Sequence, residues 1–166
     1  VDVLERIAAN ALETSVFVAD SIAPQLATNG FLEMNLNNGT ITLLFTEPVN
    51  ASTLNPTAIT LLSFFKGSSV ISYRLSGGSL HSQPSAKSVR ISLSSTDLNE
   101  IKARETLCQT SGTCYLNATA SLIRDNSNQA VQSTAATIGS FAQDFIDDVT
   151  RPSLESFSVN INNSML

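Results

Sequence analysis

The chain has 166 residues, 42% of them hydrophobic and only 14% charged, with a formal net charge of -5; it is long enough for one domain that buries a core and covers its surface with uncharged polar groups. The 9 Lys and Arg residues are scattered singly and form no basic stripe to neutralise phosphates, which argues against nucleic acid as a partner. No apolar run approaches the roughly 20 residues needed to span a bilayer, and the N-terminus lacks the basic-then-apolar order of a signal peptide, so a secretion signal is expected outside this chain.

The first nineteen residues admit two readings. Val3, Leu4, Ile7, Ala8, Ala11 and Leu12 share one helical face, so periodicity by itself favours an amphipathic helix. An internal echo favours strand over 11–18. Phe17, Asp20, Pro24 and Leu26 recur as Phe145, Asp148, Pro152 and Leu154, a shared F-x-x-D-x-x-x-P-x-L frame. Subtracting 20 from 148 gives a spacing of 128 residues, the size of one β-sandwich and far more than a solenoid turn. After the frame the match resumes out of register, with Met34-Asn35-Leu36-Asn37-Asn38 echoed by Val159-Asn160-Ile161-Asn162-Asn163. The expected organisation is a tail or inter-subunit donor strand over 1–19, a complete repeat over 20–147 and the start of a following repeat over 148–166.

Residues 31–36 and 40–45 alternate apolar and polar around Asn37-Asn38-Gly39, the signature of a tight hairpin that needs positive φ. Residues 57–63, 70–75 and 88–93 continue the two-residue period, separated by Lys66-Gly67-Ser68 and by a long polar stretch over 76–87. Over 95–103 a polar cap followed by Leu98 and Ile101 predicts one or two helical turns. Residues 114–123 read as a strand, 124–128 as a turn leading into Ala130 and Val131, and 138–145 as the closing strand. This order predicts an all-β, immunoglobulin-like Greek-key sandwich with one short helix.

Thr40-Ile41-Thr42-Leu43-Leu44-Phe45-Thr46-Glu47-Pro48-Val49-Asn50-Ala51-Ser52-Thr53-Leu54 resembles the signature of Ig-like repeats in bacterial surface-layer and other surface proteins. Thr57-Ala58-Ile59-Thr60-Leu61 resembles their following strand, and Arg124-Asp125-Asn126-Ser127-Asn128 resembles their D-x-x-G-N turn, with Ser127 in place of glycine. Residues 94–103 and the two D-x-x-x-P frames are also similar to tandem repeats in very long secreted proteins of algae and other protists. The resemblance implies a sandwich module in a cell-surface or filamentous assembly, with no reaction attached. Glu47-Pro48 is read as structural, since proline after a strand has no N–H for the ladder.

Two features point to the secretory route. Asn38-Gly39-Thr40, Asn50-Ala51-Ser52, Asn117-Ala118-Thr119 and Asn162-Asn163-Ser164 fit the N-glycosylation pattern, whereas Asn55 is excluded by Pro56. Cys108 and Cys114 flank a loop able to fold back, and a disulfide closing a small surface loop is expected there. With His81 the sole histidine, a zinc site lacks ligands. Asp144, Asp147 and Asp148 could offer hard oxygens to calcium at the repeat junction, but EF-hand spacing is missing, and a solvated linker is the blander reading.

Catalysis requires a nucleophile, a base and oxyanion donors that converge, and one His without a G-x-S-x-G elbow supplies little, so no enzyme is expected and His81 reads as a solvated loop residue. The expected role is a structural repeat of an extracellular glycoprotein, with neighbouring copies as partners and β-strand addition as one mode of assembly. The alternative is an adhesin-type module that holds a glycan or protein through the loops 76–87 and 109–113. It has Tyr73 and Tyr115 but no Trp to stack a sugar.

Overall fold

Strand β1 (Leu26–Asn35) and strand β2 (Thr40–Phe45) form the predicted hairpin. The carboxamide of Asn35 closes it, Oδ1 accepting from the N–H groups of Asn37 and Asn38, both at 3.1 Å. Positive φ falls on Gly39 alone, at 67°, so the connection is a four-residue turn with glycine at the left-handed position. The computed structural model describes residues 18–64, 70–134, 140–154 and 156–159. Residues 1–17 of the expected tail or donor strand over 1–19, the Lys66-Gly67-Ser68 turn and the sequon Asn162 lie outside the described residues.

Asn50 and Asn55 each cap a short 3-10 turn, Ala51–Thr53 and Pro56–Ala58, which carries the chain to the second sheet. There β3 (Ile59–Leu62) pairs with β4 (Ser72–Arg74), and both are shorter than predicted. The chain returns to the first sheet as β5 (Ser79–Ser85) and β6 (Ser88–Ser92). Helix α1 (Ser95–Lys102) follows, with the Ser94 hydroxyl accepting from Asp97 N–H at 3.0 Å. A third 3-10 turn, Ser111–Thr113, precedes β7 (Tyr115–Ala118), and β8 (Ser140–Phe141) and β9 (Asp144–Ile146) close the sandwich.

One sheet has the order β5-β6-β2-β1-β9 and the other β4-β3-β7-β8. Since β2 sits between β1 and β6, and β3 between β4 and β7, the chain repeatedly crosses between layers, the Greek-key arrangement expected from the strand order. Phe31, Met34, Ile41, Leu43, Phe45, Ile59, Leu61, Val89, Ile91 and Leu116 fill the space between the sheets and are 0–1% exposed. Each such side chain contributes about 1.5–3 kcal/mol by leaving water. On the outer face, Glu33, Thr42 and Arg90 form a row across β1, β2 and β6, with Arg90 Nε donating to Thr42 Oγ1 at 3.1 Å and Arg90 lying 3.5 Å from Glu33.

Three expectations are corrected. The stretch 76–87 is no loop: Ser79–Ser85 is an edge strand exposed at every position, so no apolar face marks it in sequence, and Pro84 is tolerated because the edge leaves its missing N–H without consequence. The strand expected over 114–123 ends at Ala118, and Arg124 makes isolated bridges to Asn50 and Ala130 instead. The single closing strand divides. Ser140–Phe141 pairs with β7, whereas Asp144–Ile146 runs parallel to β1, and between them Ala142 N–H donates to Cys114 O and Gln143 N–H to Phe31 O, both at 2.9 Å. One segment thereby closes the edges of both sheets, which period-two alternation cannot signal.

Candidate functional site

The two echoed frames adopt the same local geometry. Asp20 Oδ1 accepts from Ile22 N–H at 3.0 Å, and Asp148 Oδ1 accepts from Thr150 N–H at 3.0 Å. Such Asx turns follow from a short acceptor side chain two residues before a free amide. The first frame is tied to its sandwich from behind, by Gln129 Nε2 donating to Asp20 O and Gln132 N–H to Pro24 O, both at 2.8 Å. The second frame leaves the sandwich at the opposite end of β1 and is tied there. Leu36 N–H donates to Ile146 O at 2.8 Å, and Lys102 Nζ on α1 lies 2.8 Å from Asp148 Oδ2. Asn37 Oδ1 accepts from Val149 N–H at 3.3 Å and Thr150 Oγ1 at 3.0 Å. The hydrogen bond from Lys102, helped by the Thr150 amide, holds the Asp148 carboxyl below its usual range. Pro152 is exposed.

The acidic residues proposed for calcium are not gathered. Asp144 lies on β9 opposite Glu33, Asp148 is committed to Lys102, and among the described residues no three His, Cys, Asp or Glu side chains form a metal-binding group.

The sequons differ in presentation. Asn38 is exposed on the β1–β2 turn and its Oδ1 accepts from Thr40 Oγ1 at 2.8 Å; Asn50 Oδ1 likewise accepts from Ser52 Oγ at 2.7 Å. In both, the sequon hydroxyl meets its own asparagine. Asn117 is half-buried on β7, an interior strand, and its Oδ1 accepts from Thr134 Oγ1, with Thr119 bonded to Ser121 instead.

Cys108 and Cys114 form the expected disulfide, but both are 0% exposed, so the covalent closure sits in the core and only the intervening loop reaches the surface. Cys108 N–H donates to Thr113 O at 2.8 Å, and the Thr113 hydroxyl accepts from the amides of Gln109 and Thr110, each at 3.0 Å. The turn therefore brings the two cysteines together by its own hydrogen bonds.

A buried polar cluster went unnoticed in sequence. Asp97 is 0% exposed, and its Oδ1 accepts from Tyr73 OH at 2.8 Å, Ser76 N–H at 2.9 Å and Ser76 Oγ at 2.7 Å, while Oδ2 accepts from Gly77 N–H at 3.1 Å. Burial raises the pKa of this carboxyl, but the Ser76 backbone and hydroxyl, Tyr73 and Ser94 outweigh it and the net shift is downward. Burial, followed by the hydrogen bond to Asp97, pushes the Tyr73 hydroxyl up. The Arg104 guanidinium lies 5.0 Å over the Tyr73 ring and its Nη2 bonds Glu100 at 3.0 Å. The available signal was Asp97 one helical turn before Ile101, which places a carboxylate on the buried face of α1. Its partners make it an anchor for the 73–77 segment.

His81 stands on exposed β5, not in a loop, with Nδ1 3.0 Å from Ser92 Oγ across the strand pair. Neither tyrosine is a bare stacking platform, since Tyr73 lies beneath Arg104 and Tyr115 packs edge-on to Phe141 with ring centres 6.2 Å apart. An open groove of about 430 Å³ runs beside Leu26, Asn29, Gln132, Thr134 and Phe141. No helix among the described residues is long and apolar enough to cross a membrane.

No protein-family model and no curated protein matches the chain in sequence. Among solved structures, the N-terminal part of the bacterial S-layer protein SbsC aligns over 80% of this chain and 25% of its own, at 12% identity and a TM-score of 0.44. The S-layer protein rSbsC(31-844) aligns over 80% of this chain and 14% of its own, at the same identity and TM-score. The chain thus spans a quarter or less of either protein.

Proposed function

We propose that the chain is a structural repeat of an extracellular, glycosylated surface or filament protein, with residues 20–147 as one complete repeat and 148–166 as the start of the next. The observation that carries this reading is the F-x-x-D-x-x-x-P-x-L frame, present at both ends of the sandwich and closing the same Asx turn in each copy. Exposed Leu154 and Phe157, at 80% and 78%, support it, since the corresponding segment of the first copy supplies core. A disulfide and the exposed sequon at Asn38 suit an oxidising, glycosylating compartment.

Repeats of this kind bear load by joining end to end, and the sheet edges favour that mode over β-strand addition. Among the described strands, β4, β8 and β9 are edges of two or three residues, and β5 carries Pro84 and a broken register. Short, proline-bearing and irregular edges resist pairing with another chain. The binding-module alternative loses one of its two loops, because 76–87 is mostly strand.

The test is intact mass of native material, before and after enzymatic deglycosylation and reduction, together with negative-stain microscopy. Sugar on two sequons, two hydrogens gained on reduction and regular filaments are expected. An unmodified free-thiol monomer would overturn the reading.

A further inference from the structure

We infer that the pole of the sandwich formed by the β1–β2 turn and α1 is a socket for the following repeat, and that Asn37 and Lys102 fix the direction in which that repeat departs. The inference rests on the repeat reading and goes past it, because a D-x-x-x-P linker is compatible with a loose hinge. Four contacts make it a clamp. Ile146 is stitched to Leu36, Asp148 is paired with Lys102, and Val149 and Thr150 both donate to Asn37 Oδ1. They come from two elements, a turn and a helix, so they resist bending in more than one plane. The Asx turn of Asp148 pre-orders the same residues, which lowers the entropy lost when they are held.

The occupant is a second sandwich of this fold, and the geometry of β1 supports it. From Leu26 to Phe31, β1 takes five steps while β2 takes two, from Phe45 to Leu43, so β1 bulges by three residues. A second irregularity between Phe31 and Glu33 adds one more, so β1 takes eight steps from Leu26 to Met34 against four on β2, and the echo covers the same interval in five, from Leu154 to Val159. The gap between the copies therefore falls on a bulge, where residues are gained or lost without turning the apolar side chains to the wrong face. Leu154, Phe157 and Val159, at 80%, 78% and 71% exposure, are the side chains such a second sandwich would cover.

The experiment is backbone amide relaxation of the full 166-residue chain, as wild type and as N37A, K102A and the double variant. Asn37 is chosen because the turn itself is held by Asn35, so the sandwich survives the change. Wild-type Val149 and Thr150 are expected near the rigid-backbone order parameter of about 0.85, like Met34, and the double variant is expected to drop them below about 0.6 with Met34 unchanged. Val149 and Thr150 as mobile in wild type as residues 156–159, or still rigid in the double variant, would overturn the clamp. The length of the native polypeptide separates this from the reading beneath it. A mobile joint in a protein of many sandwiches sinks the clamp alone; a rigid joint in a protein of one sandwich sinks the repeat reading.

Discussion

Asp20 and Asp148 close the same turn at the two ends of the sandwich, each carboxylate accepting a 3.0 Å bond from the amide two residues on, but Asp148 also holds Lys102. The second interaction makes the C-terminal frame sensitive to pH. Its carboxyl is held below the usual range, so the folded joint favours the charged form; the contribution is complete above the ordinary aspartate value and is lost as pH falls through the lowered one. The Val149 and Thr150 amide shifts are expected to stay constant from about pH 7 to 5 and to move only below about 3.9. Movement centred near neutral pH would contradict the assignment.

Asp97 is the costliest polar side chain to lose. Asp97→Ala removes the shared acceptor of Tyr73 OH, Ser76 N–H and Gly77 N–H, leaves a void on the buried face of α1 and cuts the tie between α1 and the 73–77 segment. A loss of about 3 kcal/mol is expected, visible as a fall in Tm of about 6–12 °C. Tyr73→Phe removes one donor and should cost about 1 kcal/mol. Equal effects for the two variants would show that the cluster does not centre on Asp97.

Gly30 is required for space, not for positive φ. A Cβ there would lie 2.5 Å from Leu44 O and 2.7 Å from Ala27 O, both backbone atoms that cannot swing aside. Gly30→Ala is expected to cost about 2–4 kcal/mol in chemical denaturation, through displacement of the β1 bulge. Gly112→Ala, where the nearest atom is 3.8 Å away, serves as the control and should change stability by less than about 0.5 kcal/mol.

Occupancy should differ among the described sequons. Asn38 and Asn50 stand on a turn and at a 3-10 cap, whereas Asn117 lies flat on an interior strand with its carbonyl bonded to Thr134. Glycopeptide mass spectrometry is expected to find sugar on Asn38 and Asn50 and little on Asn117. Full occupancy of Asn117 would mean that β7 is covered by glycan and that its Thr134 contact is broken in the mature protein.

Local chemistry was legible wherever a short segment decides its own conformation. The β1–β2 hairpin, the helix near 95–102 and the Cys108–Cys114 pairing follow from a glycine at a left-handed position, a serine cap and a six-residue separation, none of which needs a distant partner. Strand β5 was missed because an edge strand exposed on both faces has no hydrophobic period to read. Asp97 was missed because its four donors come from Tyr73, Ser76 and Gly77, some twenty residues earlier, and acidic residues in the first turn of a helix are ordinarily solvated.

What the sequence determined by itself was the class of the molecule: alternation set the all-β core, and the 128-residue echo placed the same D-x-x-x-P frame before β1 and after β9. Only the tertiary structure decided which residues meet at the second frame. Asn37 and Thr150 are 113 positions apart, and Lys102 ends α1 whereas Asp148 lies past β9, so nothing local couples them. They meet because β9 pairs in parallel beside β1 and delivers the chain to the turn that β1 forms. Sheet pairing is a long-range choice made by the burial of the whole core, and the second frame inherits its position from that choice.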